Sequence, residues 1–195
     1  PWQKDQAVIH NLLTAAGNLQ EVVRLVPVKG NWLIPHIELQ AITVIKDILQ
    51  DINPEQRDLY EARAQERIEA VRAAGEEIRR QLEQADISGM PVICAAMQKE
   101  FAIWAGFQVV DSYGRPDELT PGRMAELVTE AKEQGVKLFI DNLQSGKDAG
   151  QGMAEDVGAA QVTISNFVSG LPETDSWEDT VKNNVAMIVE ALQGR

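Results

Sequence analysis

Few side chains in this sequence are equipped for chemistry on a substrate. Two histidines occur, His10 and His36, with one cysteine, Cys94, and a polar pair, Asp141-Asn142, behind an apolar run. Zinc sites usually draw three or four His, Cys or carboxylate ligands at close spacing. No stretch here supplies them. A catalytic thiolate at Cys94 would need a base beside it, and neither histidine is near in sequence. Cys94 therefore reads as a small core residue closing a buried strand. His10 reads as structural on an amphipathic helix, while His36, directly after Pro35 at a helix start, is open to a structural or a ligand role. Gly146, Gly150 and Gly152 invite comparison with phosphate-binding loops, but Glu155 takes the third glycine position of a GxGxxG and Asp141 the first of a GxxxxGK. The Asp141-Asn142 pair is read equally well as a turn with Asx hydrogen bonds or as a functional pair. Trp104 and Trp177 read as packing residues, and so does Trp32, although it sits beside a turn at Asn31 where a cleft could form.

These residues are carried by a chain with one dominant element. Residues 53–84 read as a single long helix of roughly 45–50 Å. Asn53 is expected as its cap and Pro54 in its first turn. A narrow apolar stripe of Leu59, Ala62, Ile68, Val71, Ala74 or Gly75, Ile78 and Leu82 recurs every three or four residues. Ahead of it are expected an amphipathic helix over 3–16, a short strand over 21–28 weakened by Pro27, and a helix from Pro35 burying Ile37, Ala41, Ile42, Ile45, Ile48 and Leu49. Behind it strand and helix alternate. The strands are placed at 91–94, 107–110, 136–140 and 161–164, and the helices at 97–106, from Pro121 to a stop at Gly135, near 148–157, and from Trp177 onward. The strands are apolar throughout rather than alternating, which predicts a parallel sheet covered on both faces. Ligands bind beyond the carboxyl ends of such strands, here Cys94 to Gln98, Asp111 to Tyr113, Asp141 to Gln144 and Ser165 to Phe167.

The charge balance excludes some partners. With 30 acidic against 18 basic residues and a net charge of -12, there is no Lys/Arg cluster of the kind that neutralises nucleic-acid phosphates, so nucleic acid is excluded as a partner. No apolar run approaches the ~18–20 residues of a membrane span. The single cysteine allows no intrachain disulfide. The chain opens on Pro1, which is read as the start of a processed or truncated piece, with a signal peptide, lipidation site or leading domain expected ahead of it.

Taken in order, short segments of the chain resemble the extracytoplasmic solute-binding proteins that feed zinc and manganese ABC importers. Residues 30–35 (GNWLIP) are similar to that family's His-x-Trp-Leu-Asp-Pro. Residues 53–55 and 59–62 resemble its Asp-Pro-Glu-Asn and Tyr-x-Glu-Asn-Ala opening of a backbone helix. Residues 100–102 and 106–110 resemble its Tyr-Phe-Ala and Gly-Leu-Glu-Val-Val, and 124–127, 135–136 and 154–158 match the following helix and strand starts.

The resemblance implies two α/β lobes joined by a rigid helix, a solute held between them, and delivery to an ABC permease in the membrane. The expected division is 1–52 as the end of a leading lobe and its connecting helix, 53–85 as the backbone helix, and 86–195 as a C-terminal lobe with a four-stranded parallel sheet, the leading lobe itself being absent. Zinc or manganese is the cargo the family brings with it, and the location implied is extracytoplasmic. The sequence departs from the pattern at the ligands. The family's histidine before the tryptophan falls on Gly30, its next ligand on Ala95, and its final aspartate on Ser165. The expected ligand-binding set is Asn31, Trp32, Gln98, Asp141, Asn142, Ser165 and Asn166, holding a metal chelate or small polar solute. A rearranged metal site would draw on His36, Cys94 and Asp141. Two rival readings are an interaction module that kept the scaffold and binds no ligand, and an α/β enzyme using Asp141 with Lys99 or Lys147 as acid and base.

Overall fold

A computed structural model describes residues 2–17 and 24–194, with side chains from residue 7. The helices are α1 (Trp2–Ala15), α2 (Pro35–Ile52), α3 (Arg57–Gln84), α4 (Lys99–Trp104), α5 (Pro121–Gln134), α6 (Leu143–Gly146), α7 (Gln151–Val157) and α8 (Trp177–Gln193). The strands are β1 (Pro91–Ala95), β2 (Gln108–Tyr113), β3 (Leu138–Asn142) and β4 (Ala160–Ile164).

The four strands form one parallel sheet in the order β2-β1-β3-β4. Side chains alternate along each strand, so the sheet has two buried faces. Val92, Cys94, Leu138, Ile140, Val162 and Ile164 pack with Val71, Ala74 and Ile78 of α3 and Val181, Val185 and Ile188 of α8. Ile93, Ala95, Tyr113 and Phe139 pack on the opposite face with Leu127 and Ala131 of α5 and Met153 and Ala154 of α7. Each large aliphatic side chain fully buried this way contributes ~1.5–3 kcal/mol. This double burial is why the strands read as continuous apolar runs.

Helix α3 is long, as its stripe requires, but only part of the stripe is covered. Ala64, Val71, Ala74, Ile78 and Leu82 are buried, whereas Leu59 and Ala62 are exposed. Gly75 has a steric reason: a Cβ there would lie 3.2 Å from Pro35 Cγ, so its absence lets the start of α2 approach α3 closely. Asn53 is not the cap of α3. Its side chain makes no capping bond; its backbone N–H closes α2 on Leu49, and a 3₁₀ turn, Pro54–Gln56, intervenes before α3 begins at Arg57. The corner is held instead by buried Gln50, which donates to the Arg57 carbonyl at 3.2 Å and accepts from the Arg57 guanidinium at 3.1 Å.

Other expectations shift in detail. Of the α2 face, Ala41 is buried and Ile37 and Ile42 pack against the core, but Ile45 and Leu49 are exposed because no described element covers that end of the helix. In α1, Val8, Ile9 and Leu12 are likewise exposed. The strand expected over 21–28 falls partly outside the described residues, and residues 24–28 join no sheet; Pro27 has no N–H to give a ladder. Strand β2 runs on to Tyr113; it is an edge strand, and its polar Asp111 and Ser112 are only half-buried, Asp111 pairing with Arg123 of α5. Strand β3 takes in Asp141 and Asn142, and every residue of it is buried. The helix expected over 97–106 is a 3₁₀ turn, Ala96–Gln98, running into the shorter α4. Thr120 caps α5, accepting the Arg123 N–H, and Ser176 caps α8 by accepting that of Asp179. Among the described residues no helix is long and apolar enough to cross a membrane.

Candidate functional site

Strand order fixes where a site belongs. The chain leaves β1 toward β2 on one side and returns to place β3 on the other, so the connections diverge at the carboxyl ends of β1 and β3. In open parallel sheets ligands bind beyond the strand ends at such a switch point. Gln98, following β1, and Asn142, ending β3, meet across it, with Gln98 Nε2 donating to Asn142 Oδ1 at 3.0 Å. Both are buried.

Around this bond lies a chain of neutral polar groups. Asn142 Nδ2 donates to Ser145 Oγ at 2.6 Å. Gln144 donates to Ser165 Oγ at 2.7 Å and accepts the Asn166 backbone N–H at 2.9 Å. Asn31 Nδ2 donates to Asn166 Oδ1 at 3.1 Å, and Asn166 Nδ2 donates to the Met97 carbonyl at 3.4 Å. Ser165 is held at its backbone by Asn184 of α8, which accepts its N–H at 3.0 Å and donates to its carbonyl at 2.8 Å. Gly170 is required beside it, because a Cβ there would collide with Ser165 Oγ. Trp32 lies on the same turn as Asn31, its carbonyl accepting from Trp177 Nε1 at 2.8 Å. Asn31, Asn166 and Ser165 are thus linked through Gln144, Gln98 and Asn142 form a second group with Ser145, and Trp32 bonds instead to Val28 and Trp177. Gln144 and Glu100 join them without having been singled out from sequence. Glu100 Oε2 accepts the Asn31 N–H at 2.7 Å and stands 3.3 Å from where a Cβ on Gly30 would be.

Asp141 belongs elsewhere. One residue before Asn142 in the strand, it faces the opposite side of the sheet and is fully buried. Its carboxylate accepts from Tyr113 Oη at 2.5 Å, Gln161 Nε2 at 2.6 Å and the Gly150 N–H at 2.9 and 3.1 Å. Burial pushes its pKa above the ordinary carboxylate value, against these three donors, which favour the ionised form. Gly150 fits closely; a Cβ there would come within 2.6 Å of Tyr113 Oη. The result is a latch tying the loop after β3 to β2 and β4. No lysine forms an ion pair with Asp141 among the described residues, and Lys147 lies 3.9 Å from Asp148 instead.

The three residues considered for a rearranged metal site are not brought together. His36 is exposed on α2, Cys94 lies in the core with its thiol pushed up to about 12 by desolvation, and Asp141 is engaged in its latch. Among the described residues no group of three or more His, Cys, Asp or Glu side chains could hold a metal ion. Gly30 has φ +109 and a Cβ there would lie 3.1 Å from Ile37 Cδ1, so its backbone and surroundings both disfavour a side chain. With Ala95 apolar and Ser165 satisfied by Gln144 and Phe167, this donor set does not fit a bare divalent ion.

Comparison with known proteins gives a consistent result. The family described as zinc-uptake complex component A, periplasmic (ZnuA), matches residues 31–191. A periplasmic metal-binding protein of Candidatus Liberibacter asiaticus, in a metal-free mutant form, superposes with a TM-score of 0.70 at 16% identity over 89% of this chain and 66% of that one. Its Mn-bound form gives 0.68 at 17% identity, over 89% and 65%. The solute-binding protein FpvC of P. aeruginosa, in complex with Ni2+, gives 0.70 at 16% identity, over 90% and 67%. The chain spans about two thirds of the length of these structures. No curated protein sequence matches this chain.

Proposed function

This chain belongs to the periplasmic zinc-uptake complex component A family, and on that premise we propose that it is the extracytoplasmic solute-binding component of an ABC importer. Its partner is then an ABC permease in the membrane. The long helix α3 acts as the strut between two lobes, with 86–195 as the C-terminal lobe and 1–52 as the end of a leading one. The family is one of solute receptors, and no reaction is assigned to this chain.

The cargo is a metal chelate or small polar solute held at the crevice beyond β1, β3 and β4. The observation carrying this reading is the pair of neutral hydrogen-bonded groups at the switch point, Gln98 with Asn142 and Asn31 with Asn166, Gln144 and Ser165, where the family resemblance expects ion ligands. Neutral amides donate and accept in fixed directions, which suits an oriented polar solute.

Two measurements test the proposal. With the permease and ATPase reconstituted in a bilayer, the chain is expected to stimulate ATP hydrolysis; no stimulation refutes the importer role. In isothermal titration, zinc and manganese chlorides are expected to give no binding at micromolar strength. Tight binding abolished by Asp141→Ala or His36→Ala would restore the bare-ion reading.

A second reading draws on the same network. Because its amides already bond to one another, the chain also fits an interaction module on the family scaffold that takes no solute. Melting the protein against metals and metabolites separates the two, since a ligand at 100 times its dissociation constant adds ~2.7 kcal/mol.

A further inference from the structure

Residues 143–150 carry the chain from β3 to the start of α7, and hydrogen bonds tie them down on both sides of the sheet. On the crevice side Gln144 donates to Ser165 Oγ at 2.7 Å and accepts the Asn166 N–H at 2.9 Å, while Ser145 Oγ accepts from Asn142 at 2.6 Å. On the other side the segment ends at Gly150, whose N–H reaches both oxygens of the Asp141 carboxylate, Oδ1 at 2.9 Å and Oδ2 at 3.1 Å. Two positions between these ties are set by their surroundings. Gly146 has φ +151, and a Cβ there would lie 2.6 Å from Pro116 Cδ. Asp148 holds φ +63, a conformation that a residue with a side chain keeps only where its neighbours fix it, and it accepts from Thr163 Oγ1 at 3.2 Å.

The tie at Gly150 depends on charge. A hydrogen bond to an ionised acceptor is roughly twice as strong as one to a neutral acceptor. Ionised Asp141 accepts at Oδ1 from Tyr113 of β2, at Oδ2 from Gln161 of β4, and at both from Gly150. A proton taken from solvent onto Oδ1 needs an acceptor of its own. Tyr113 Oη supplies one when its hydroxyl proton turns to the Ile140 carbonyl, 3.4 Å away. Oδ1 then donates to Tyr113 and gives up the shorter Gly150 bond, leaving the longer one on Oδ2, which Gln161 shares. Burial raises the Asp141 pKa, and the charge of Asp148, itself 3.9 Å from Lys147, adds to the rise. Burial also holds the Tyr113 phenol above its ordinary value and the Cys94 thiol at about 12, so both stay neutral while Asp141 titrates.

We infer that Asp141 is a positioning residue for the crevice: its ionised carboxylate, by holding Gly150, fixes segment 143–150 and so aims Gln144 at Ser165 and Asn166 and Ser145 at Asn142, and uptake of a proton loosens that hold. Asp141 touches none of the crevice groups itself. It acts from the opposite face of the sheet, through the segment whose two ends the two sets of bonds secure. The inference deepens the solute-receptor reading above and rests on it for the crevice being the binding site.

The test is native-state hydrogen exchange of the full chain, read by NMR as protection factors for the parent and for Asp141→Asn, which keeps the side-chain shape and removes the charge. The Asn166 N–H reports on the segment because Gln144 holds it, and the Ser165 N–H is the control because Asn184 of α8 holds it instead. Replacing a charged acceptor by a neutral one is expected to lower Asn166 protection roughly five- to tenfold relative to Ser165. In the parent the same relative drop is expected as pH falls from neutral through the folded pKa of Asp141, and it should be absent from Asp141→Asn. If Asp141→Asn does not fold, the pH series of the parent decides alone. Protection that falls equally at Asn166, Ser165 and the β3 ladder would make Asp141 a purely structural group and overturn the inference, as would a drop at Asn166 that survives in Asp141→Asn. Stimulation of the ATPase by the parent, measured separately, keeps the two readings apart. Stimulation without the exchange coupling would remove the inference alone, and coupling without stimulation would remove the receptor role alone.

Discussion

The latch on Asp141 gives the sharpest test of the architecture beneath the site. Tyr113→Phe removes one oxygen and leaves the ring in place, so packing on that face of the sheet is preserved. What is lost is the 2.5 Å hydrogen bond to a fully buried carboxylate. A hydrogen bond to a charged group is worth ~1.5–3 kcal/mol. The upper half of that range applies here, because the carboxylate is fully buried and loses one of its three donors, Gln161 and the Gly150 N–H remaining. For a chain of this size each kcal/mol moves the melting temperature by ~2–4 °C, so a fall of roughly 5–12 °C is expected. Urea unfolding at about pH 7 measures the loss directly as a shift in midpoint at unchanged slope. The hydroxyl stabilises the ionised carboxylate more than the protonated one, so the cost shrinks as pH falls through the folded pKa of Asp141. A cost under ~0.5 kcal/mol that does not vary with pH would refute the latch.

Further predictions concern the same face and the core. Burial raises the Asp141 pKa in the folded chain, so its proton adds stability that is fully present below the unfolded value of ~3.9 and is lost as pH rises through the folded value. The stability of the parent relative to Asp141→Asn, which does not titrate, should therefore decline with rising pH across that window in paired denaturation series. Gly150→Ala puts a methyl group within 2.6 Å of Tyr113 Oη without backbone strain, and should cost about 1–3 kcal/mol in the same assay. Cys94 is buried with its thiol pushed up to about 12, so a disulfide reagent at about pH 8 should label it only at the rate of unfolding; rapid labelling of the native chain would contradict its place in the core. Ser176→Ala removes the hydroxyl that accepts the Asp179 N–H at the start of α8, with an expected loss of ~1 kcal/mol by thermal melting.

Much of the fold was readable without coordinates. Apolar runs of strand length alternating with capped helices predicted the parallel sheet, and their carboxyl ends located the crevice. The long helix followed from its periodicity and from Pro54. Local pattern did not carry equally far at the corner before that helix. Asn53-Pro54 looked like a cap, but the buried Gln50–Arg57 contact, seven residues apart, organises that turn. Exposure of Ile45 and Leu49 was also not readable, since an apolar stripe predicts a buried face without saying what covers it.

The candidate site divides in the same way. Sequence alone determined that Asn31, Gln98, Asn142, Ser165 and Asn166 stand at strand ends or turns, because strand length and turn chemistry are local properties of the chain. Only the tertiary structure decided which groups meet. Asp141 and Asn142 are neighbours with the same apparent claim on a ligand, yet a strand turns successive side chains to opposite faces. One therefore closes the crevice with Gln98, while the other is captured by Tyr113 and Gln161 from strands β2 and β4 and by the N–H of Gly150. Glu100 and Gln144 enter the cluster for the same reason, through partners 69 and 22 residues away in the chain. A hydrogen bond depends on the position of both its ends, and for residues this far apart that position is set by the packing of the sheet and helices.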